Sequence, residues 1–281
     1  LAAPGFNLRR RFFVTKFNGE TATLEGPAAH HLARVLRAEP GQLYELSDGD
    51  VLCLARVERV GREQVDFHVI EGLPATLSKV DATLLIAVVK FERFEWAIEK
   101  ATELGAGSIV PLAAGRSEKA LLAAAPKRMA RWEKIVFEAA QQARCMRAPR
   151  ILPLAKPSEA FLSAKSRSDI RILLSERAGV RPLRTLLESH PAGNAGGDGG
   201  PLNITLAIGP EGGWTDEDIA AADAAGFLAV SMGGNILRTE TAVVAGLAAV
   251  HLCLDSVPPG KISTPAGRWP EAAGHDIKKR Q

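Results

Sequence analysis

From Asp81 the sequence reads DATLLIAVVK, and no polar side chain interrupts it between Thr83 and Lys90. A strand wet on one face alternates polar and apolar residues, so an unbroken apolar run of this kind belongs to a strand covered on both faces. That demand fixes much of what can follow. The next stretch places Phe94, Ala97, Ile98, Ala101 and Leu104 on one side of a helix, which Gly105 stops. SIVPLAA then reads as a strand, and Lys127–Ala143 as a helix turning Met129, Trp132, Val136, Ala139 and Ala143 inward. The strands IRILLSE, ITLAIG and LAVSM follow, and the apolar helix TAVVAGLAAVHLCLD closes the series. Strands and helices in alternation predict an α/β layer built on a mainly parallel sheet.

Upstream of this region the rhythm is different. RRFFVTKF, ATLEG, GQLYELSDGD, VLCLARVERV and QVDFHVIEG are short β-rich segments, and Val65, Phe67 and Val69 alternate cleanly with polar neighbours. The Asp-Gly of SDGD suits a turn between two strands, and one short helix, roughly Ala28–Arg37, interrupts the series. Residues 1–75 thus read as a small barrel or compact sheet. EGLPATLSK serves as linker, and residues 80–281 form the α/β domain. HPAGNAGGDGGPLN reads as a mobile surface loop.

Charge and cysteine content narrow the function classes. The net charge of +3 decides little, but seven basic residues against two acidic ones within 126–150 make a cluster suited to a polyanion, or simply to a solvated helix face. Cys53, Cys145 and Cys253 are odd in number and show no CxxC spacing, and the six histidines form no HExxH pattern. Neither a disulfide framework nor a metal site is expected, and no apolar run is long enough to span a membrane. The expectation is a reduced, cytoplasmic, metal-free protein.

Three segments end strands in the region where open parallel sheets bind ligands: LLSERAG, IGPEGGW and SMGGNILRTETA. Glycine there lets backbone N–H and C=O groups approach a ligand closely, although GPEGG alone fits equally well as a tight strand-to-helix turn. Thr215 and Asp218 have the spacing of a capping box, and Gly226 can close that helix. Neither the GxxxxGK[ST] loop nor the GxGxxG fingerprint of nucleotide sites is present. Arg238 reads either as part of a helix start or as the partner of an anion, whether a carboxylate or a phosphate.

GPEGG followed downstream by MGGNILRTETA resembles the bacterial 16S ribosomal RNA uridine N3-methyltransferases of the SPOUT superfamily. The resemblance continues through RRFFV, HHLARVLRAEPGQLYELSDGD, KFERFEWAIEKATELGAGSIVPLAAGRSEK and RWEKIVFEAAQQARCMRAPRI, and so covers nearly the whole chain. It implies a PUA-like RNA-binding β-barrel over 1–75 and a trefoil-knotted SPOUT domain over 80–281. It also implies S-adenosylmethionine as cofactor, a homodimer, and 3-methyluridine in small-subunit ribosomal RNA as product.

On that resemblance Gly209, Pro210, Glu211 and Gly212 grip the cofactor through their backbone, with Leu174 and Ser175 approaching from the preceding strand end. Met232, Gly233, Asn235, Ile236 and Leu237 enclose adenine and ribose, and Arg238, Thr241 and Ala242 complete the pocket or face the incoming base. The uracil N3 is a protonated imide, so a cation or a base should assist its attack. Arg238 is the candidate for charge stabilisation and Glu211 for proton acceptance or base orientation, the other reading of each being a structural ion pair. Arg9, Arg10, Arg11, Arg34, Arg37, Gln142, Arg144 and Arg147 are the expected RNA contacts, while Phe12 and Phe13 are expected in the barrel core. The alternatives are a knotted methyltransferase acting on another RNA nucleotide, or a non-catalytic ribosomal RNA-binding assembly factor.

Overall fold

The computed structural model describes residues 10–75, 78–177, 179–190 and 200–255. Arg9, the chain beyond Asp255, residues 191–199 of the glycine-rich stretch, and Thr76 and Leu77 of the linker lie outside the described residues. The chain divides into two compact units. One comprises the N-terminal residues together with Arg144–Arg147, and the other runs from Ser78, apart from that short insertion.

In the first unit, β1 (Arg11–Phe13), β2 (Phe17–Asn18), β3 (Thr21–Glu25), β4 (Leu43–Ser47), β5 (Leu52–Val60) and β6 (Gln64–Leu73) form one sheet in the order β1-β4-β5-β6-β3-β2. Only the β1–β4 pairing is parallel. The β5–β6 ladder shifts register between Leu54 and Ala55 and again between Val57 and Arg59. Bulges of this kind bend and twist a sheet, and this one curls into a half-barrel around its core. Val65, Phe67 and Val69 all point inward, as their alternation requires. Phe12 is fully buried, and the Tyr44 ring meets Phe12 and Phe67 edge-on at 5.6 and 6.5 Å.

The helix expected over Ala28–Arg37 is shorter and starts earlier. α1 covers Gly26–His30, with Pro27 in its first turn, where a missing N–H costs nothing. A π-helical turn follows over His31–Val35, and Leu36 N–H reaches back to His31 O. Arg37 then leaves with φ +52. Arg34 and Arg37 therefore do not share a helical face.

The second unit is a seven-stranded sheet in which every pairing is parallel, in the order β11-β13-β10-β12-β7-β8-β9. Its strands are β7 (Val80–Ala87), β8 (Ala106–Leu112), β9 (Arg150–Ile151), β10 (Ile170–Leu174), β11 (Arg181–Pro182), β12 (Leu202–Ile208) and β13 (Leu228–Ser231). Between them lie α2 (Phe91–Glu103), α3 (Lys119–Ala124), α4 (Met129–Gln142), α5 (Pro157–Lys165), α6 (Leu183–Glu188) and α7 (Asp216–Ala224), with α8 (Thr239–Leu254) last. The unbroken run in β7 is explained directly. Leu84 and Ile86 enter a core with α2, α4, α6 and α8, whereas Leu85 and Ala87 enter a second core with α5, α7, Trp214 and Phe227. Burying each such large side chain contributes about 1.5–3 kcal/mol.

The expected inward faces hold with two adjustments. Phe94, Ala97, Ile98 and Ala101 of α2 are fully buried, and Gly105 (φ +86) ends the helix. On α4, Trp132, Val136 and Ala139 are buried, Met129 is only partly covered, and Ala143 lies past the helix end and is exposed. Short β9 and β11, and α3, α5 and α6, have weak patterns in sequence and emerge only in the structure. α5 nevertheless contributes Ala160, Phe161 and Ala164 to the second core.

Candidate active site

β13, β10 and β12 are neighbours, and because they are parallel their carboxyl ends open on the same edge. The loops that leave them close around a cavity of about 650 Å³, large enough for a nucleoside-sized ligand. The three glycine- and charge-bearing segments singled out in the sequence thus meet at one place.

Hydrogen bonds hold the loops in register. Ser175 N–H donates to Val230 O at 2.9 Å, which extends the β10–β13 ladder to the cavity rim. Trp214 Nε1–H donates to Leu174 O at 2.9 Å, tying the GPEGGW turn to the end of β10. Thr239 Oγ1–H donates to Gly209 O at 3.0 Å, tying the start of α8 to the same turn. Gly213 N–H closes the turn onto Pro210 O at 2.8 Å, and Gly213 adopts φ +71, a conformation costly for other residues. Gly209 has a different reason: a Cβ there would stand 3.0–3.2 Å from the Trp214 indole. α7 starts with the capping box foreseen in sequence, Thr215 accepting from Asp218 N and Asp218 accepting from Thr215 N.

Of the expected cofactor residues, Leu174, Ser175, Gly209, Pro210, Gly212, Met232, Gly233, Asn235, Ile236, Leu237 and Ala242 line the cavity. Glu211, Arg238 and Thr241 do not. Glu211 stands at the exposed corner of the turn and is ion-paired with Arg93, whose Nε also lies 3.7 Å from Glu240. Arg238 is exposed at the N-cap of α8. The two side chains named for catalysis are therefore not part of the cavity wall.

The charged groups on the cavity wall are instead Arg116, Glu176 and Arg177. Arg177 is ion-paired with Asp216. Arg116 comes from the loop after β8, distant in sequence, and its Nη1 donates to Gly212 O at 2.7 Å. Trp214 and Thr239 also belong to the wall. Glu176 was readable in LLSERAG, since it directly follows a named strand end. Arg116 also follows a strand read in the sequence, SIVPLAA, but that strand end was not among the three singled out.

The expected RNA contacts also divide. Arg10, Arg34, Arg37, Gln142 and Arg147 are exposed. Arg11 is only 9% exposed: it pairs with Glu45 at 3.0 Å and donates to the carbonyls of Arg144 and Cys145, so it stabilises the first unit instead of presenting charge. Arg144 (φ +55) lies 3.8 Å from Glu45. The basic cluster within 126–150 is partly neutralised, with Arg128 and Arg131 on Glu95 and Lys134 on Glu138. Among the described residues no group of side chains has the composition of a metal site, and no helix is long and apolar enough to cross a membrane.

A Cβ at Gly233 or Gly234 would meet nothing within 4 Å, so the loop after β13 leaves open space beside exposed Ile236 and partly buried Leu237.

Comparison with known proteins agrees with this geometry. Residues 76–251 match the model of an RNA methyltransferase domain, and residues 24–70 match that of an RNA methyltransferase PUA domain. The chain is 33% identical over 246 residues to the ribosomal RNA small subunit methyltransferase E of Synechocystis, covering 84% of this chain and 74% of that protein. It is 34% identical over 240 residues to the protein of the same description from Mycobacterium bovis, covering 83% and 86%. The crystal structure of ribosomal RNA small subunit methyltransferase E from Neisseria gonorrhoeae bound to S-adenosylmethionine superposes with a TM-score of 0.70 at 28% identity, covering 88% of this chain and 98% of that one.

Proposed function

The chain belongs to the RNA methyltransferase family, and on that premise we propose that it uses S-adenosylmethionine to methylate N3 of a uridine in the 16S RNA of the small ribosomal subunit. The observation that carries the reading is the single cavity built by the loops after β10, β12 and β13, lined largely by backbone and small residues. Leu174, Gly209, Pro210 and Gly212 on one wall, and Met232, Gly233, Asn235, Ile236 and Leu237 on the other, hold the cofactor. The reading implies a trefoil knot, and the hydrogen bond from Thr239 to Gly209 is in keeping with it. The bound cofactor supplies an electrophilic methyl group.

The protein's part is to position the uracil imide in line with that group and favour loss of the N3 proton. Trp214 packs under the turn and seals the cavity floor. Glu211, held by Arg93, fixes the outer corner of the turn, while exposed Arg238 offers charge to incoming RNA. Arg10, Arg34, Arg37 and Arg147 supply phosphate contacts, which give affinity but little sequence choice. Looped or single-stranded RNA is the substrate, because pairing blocks the imide edge. The active form is a homodimer in the cytoplasm.

The test is transfer of labelled methyl from S-adenosylmethionine to small subunits that lack the modification, followed by nucleoside mass analysis. Label in 3-methyluridine supports the assignment. Label in another nucleoside redirects it to a different RNA position, and cofactor binding without any transfer favours an assembly factor.

A further inference from the structure

We propose that Arg116 is the cation that stabilises the uracil imide anion as its N3 proton leaves, the part that sequence reasoning assigned to Arg238. This rests on the methyltransferase reading above. Arg116 and Arg177 are the two cations on the cavity wall. Arg177 is paired with Asp216, whereas among the described residues no carboxylate stands within ion-pair distance of Arg116. A guanidinium facing a cavity without a counter-ion leaves its charge available to whatever anion forms there.

Arg116 is exposed, but the turn that carries it is fixed and its stem is packed. Ser117 N–H donates to Ala114 O at 3.0 Å, so Arg116 rides on a closed turn at the end of β8. Gly115 N–H in that turn reaches the Asp218 carboxylate at 3.4 Å, and a Cβ on Gly115 would stand 2.7 Å from Thr215 Cγ2, so the turn is packed against the start of α7. The stem of Arg116 lies along Gly212, its Cβ and Cδ each 3.4 Å from where a Gly212 Cβ would be. One N–H is spent on Gly212 O, and the remaining N–H groups have no partner among the described residues. Charge held in place before the reaction stabilises a transition state better than charge that must be recruited.

The chemistry balances as follows. The N3–H bond breaks and its proton passes to water, N3 uses its electron pair to bond the methyl carbon, and the carbon–sulfur bond breaks with its pair remaining on sulfur. Negative charge on the imide exists only along this path. A cation at Arg116 therefore acts on the rate more than on the binding of the neutral uridine.

The experiment compares wild type, Arg116→Ala and Arg116→Lys on unmodified small subunits, with cofactor affinity measured separately by calorimetry. The expected result is a fall in kcat of roughly 10²–10³-fold for Arg116→Ala. Cofactor Kd and KM for subunits should stay within about twofold, a change well below 1.4 kcal/mol. Arg116→Lys should lose less, and added guanidinium should restore part of the alanine variant's activity. That variant should also regain ground as pH rises, because hydroxide removes the N3 proton without help from the protein. Weakened cofactor affinity that accounts for the whole loss overturns the proposal and makes Arg116 a clamp on the turn. A raised KM at unchanged kcat overturns it in favour of a phosphate anchor. Absence of 3-methyluridine with wild type is a separate result and defeats the functional reading itself.

Discussion

Gly209→Ala is a small change that tests how the cavity floor is built. The new methyl would sit 3.0 Å from Trp214 Cε2 and 3.2 Å from Cδ2 and Nε1, a few tenths of an ångström inside ordinary contact. The indole has nowhere to retreat. It is 6% exposed, the Phe161 ring stands at 5.9 Å, and its Nε1–H is committed to Leu174 O at 2.9 Å. Overpacking of this kind costs about 1–3 kcal/mol, and loosening the hydrogen bond costs about 1 kcal/mol more, so a total of roughly 2–4 kcal/mol is expected.

Because the displaced groups line the cavity, cofactor affinity should fall as well, by about tenfold for each 1.4 kcal/mol that reaches the bound state. Urea denaturation and calorimetric titration of the cofactor measure the two effects. Repeating the change in a Trp214→Phe background separates a clash from a general loss. The smaller ring leaves room for the methyl, so the two substitutions should be non-additive by about 1 kcal/mol or more. Full additivity, or a Gly209→Ala protein as stable and as tight-binding as wild type, would refute the idea that the indole and the glycine are fitted to each other.

Three further outcomes are expected. Asp218→Ala removes the reciprocal cap of α7 and the bond to Gly115 N–H, and should cost about 1–2 kcal/mol in thermal unfolding, with Asp218→Asn recovering part of it. Gly246→Ala on α8 puts a methyl 2.9 Å from the buried Leu206 Cδ2; overpacking of about 1–3 kcal/mol outweighs the ~1 kcal/mol helix-propensity gain, and a stabilised variant would contradict the tight helix–sheet contact. Burial raises the Asp66 carboxyl, but hydrogen bonds from Arg59, Gln64 and Thr23 outweigh it and hold the group below its ordinary 3.8. Its contribution is therefore complete above 3.8 and is lost as pH falls through the lower folded value. Asp66→Asn should cost about 1 kcal/mol at neutral pH and nothing in strong acid, and a pH-independent difference would contradict this.

Much of the second unit was legible because hydrophobic burial writes directly into residue spacing. The run in β7 required cover on both faces, and Leu84 and Leu85 do enter different cores. The helix from Phe91 and the capping box at Thr215 were equally readable, since each depends on neighbours a few positions apart. The π-helical turn at His31–Val35 was not, because a widened turn keeps the same local composition as an α-helix. The segments α3, α5 and α6 were missed because each is too short for its period to rise above noise.

The site divides along the same line. By itself the sequence determined which strand ends carry glycine and charge, and hence where a ligand must lie, because strand ends and turns are local properties. It did not determine which side chains face that ligand. Glu211 and Arg238 sit in the most telling motifs yet are not on the cavity wall, Glu211 being paired with Arg93 and Arg238 being exposed. Arg11 stands in a run of arginines yet is buried against Glu45. Arg116, after a strand end not singled out in the sequence, is carried to the cavity wall and onto Gly212 by the parallel order of β8, β7 and β12. Side-chain direction at a turn is set by the dihedral angles of a few residues and by what packs behind them. The packing partner here lies far away in sequence, so only the tertiary structure decides it.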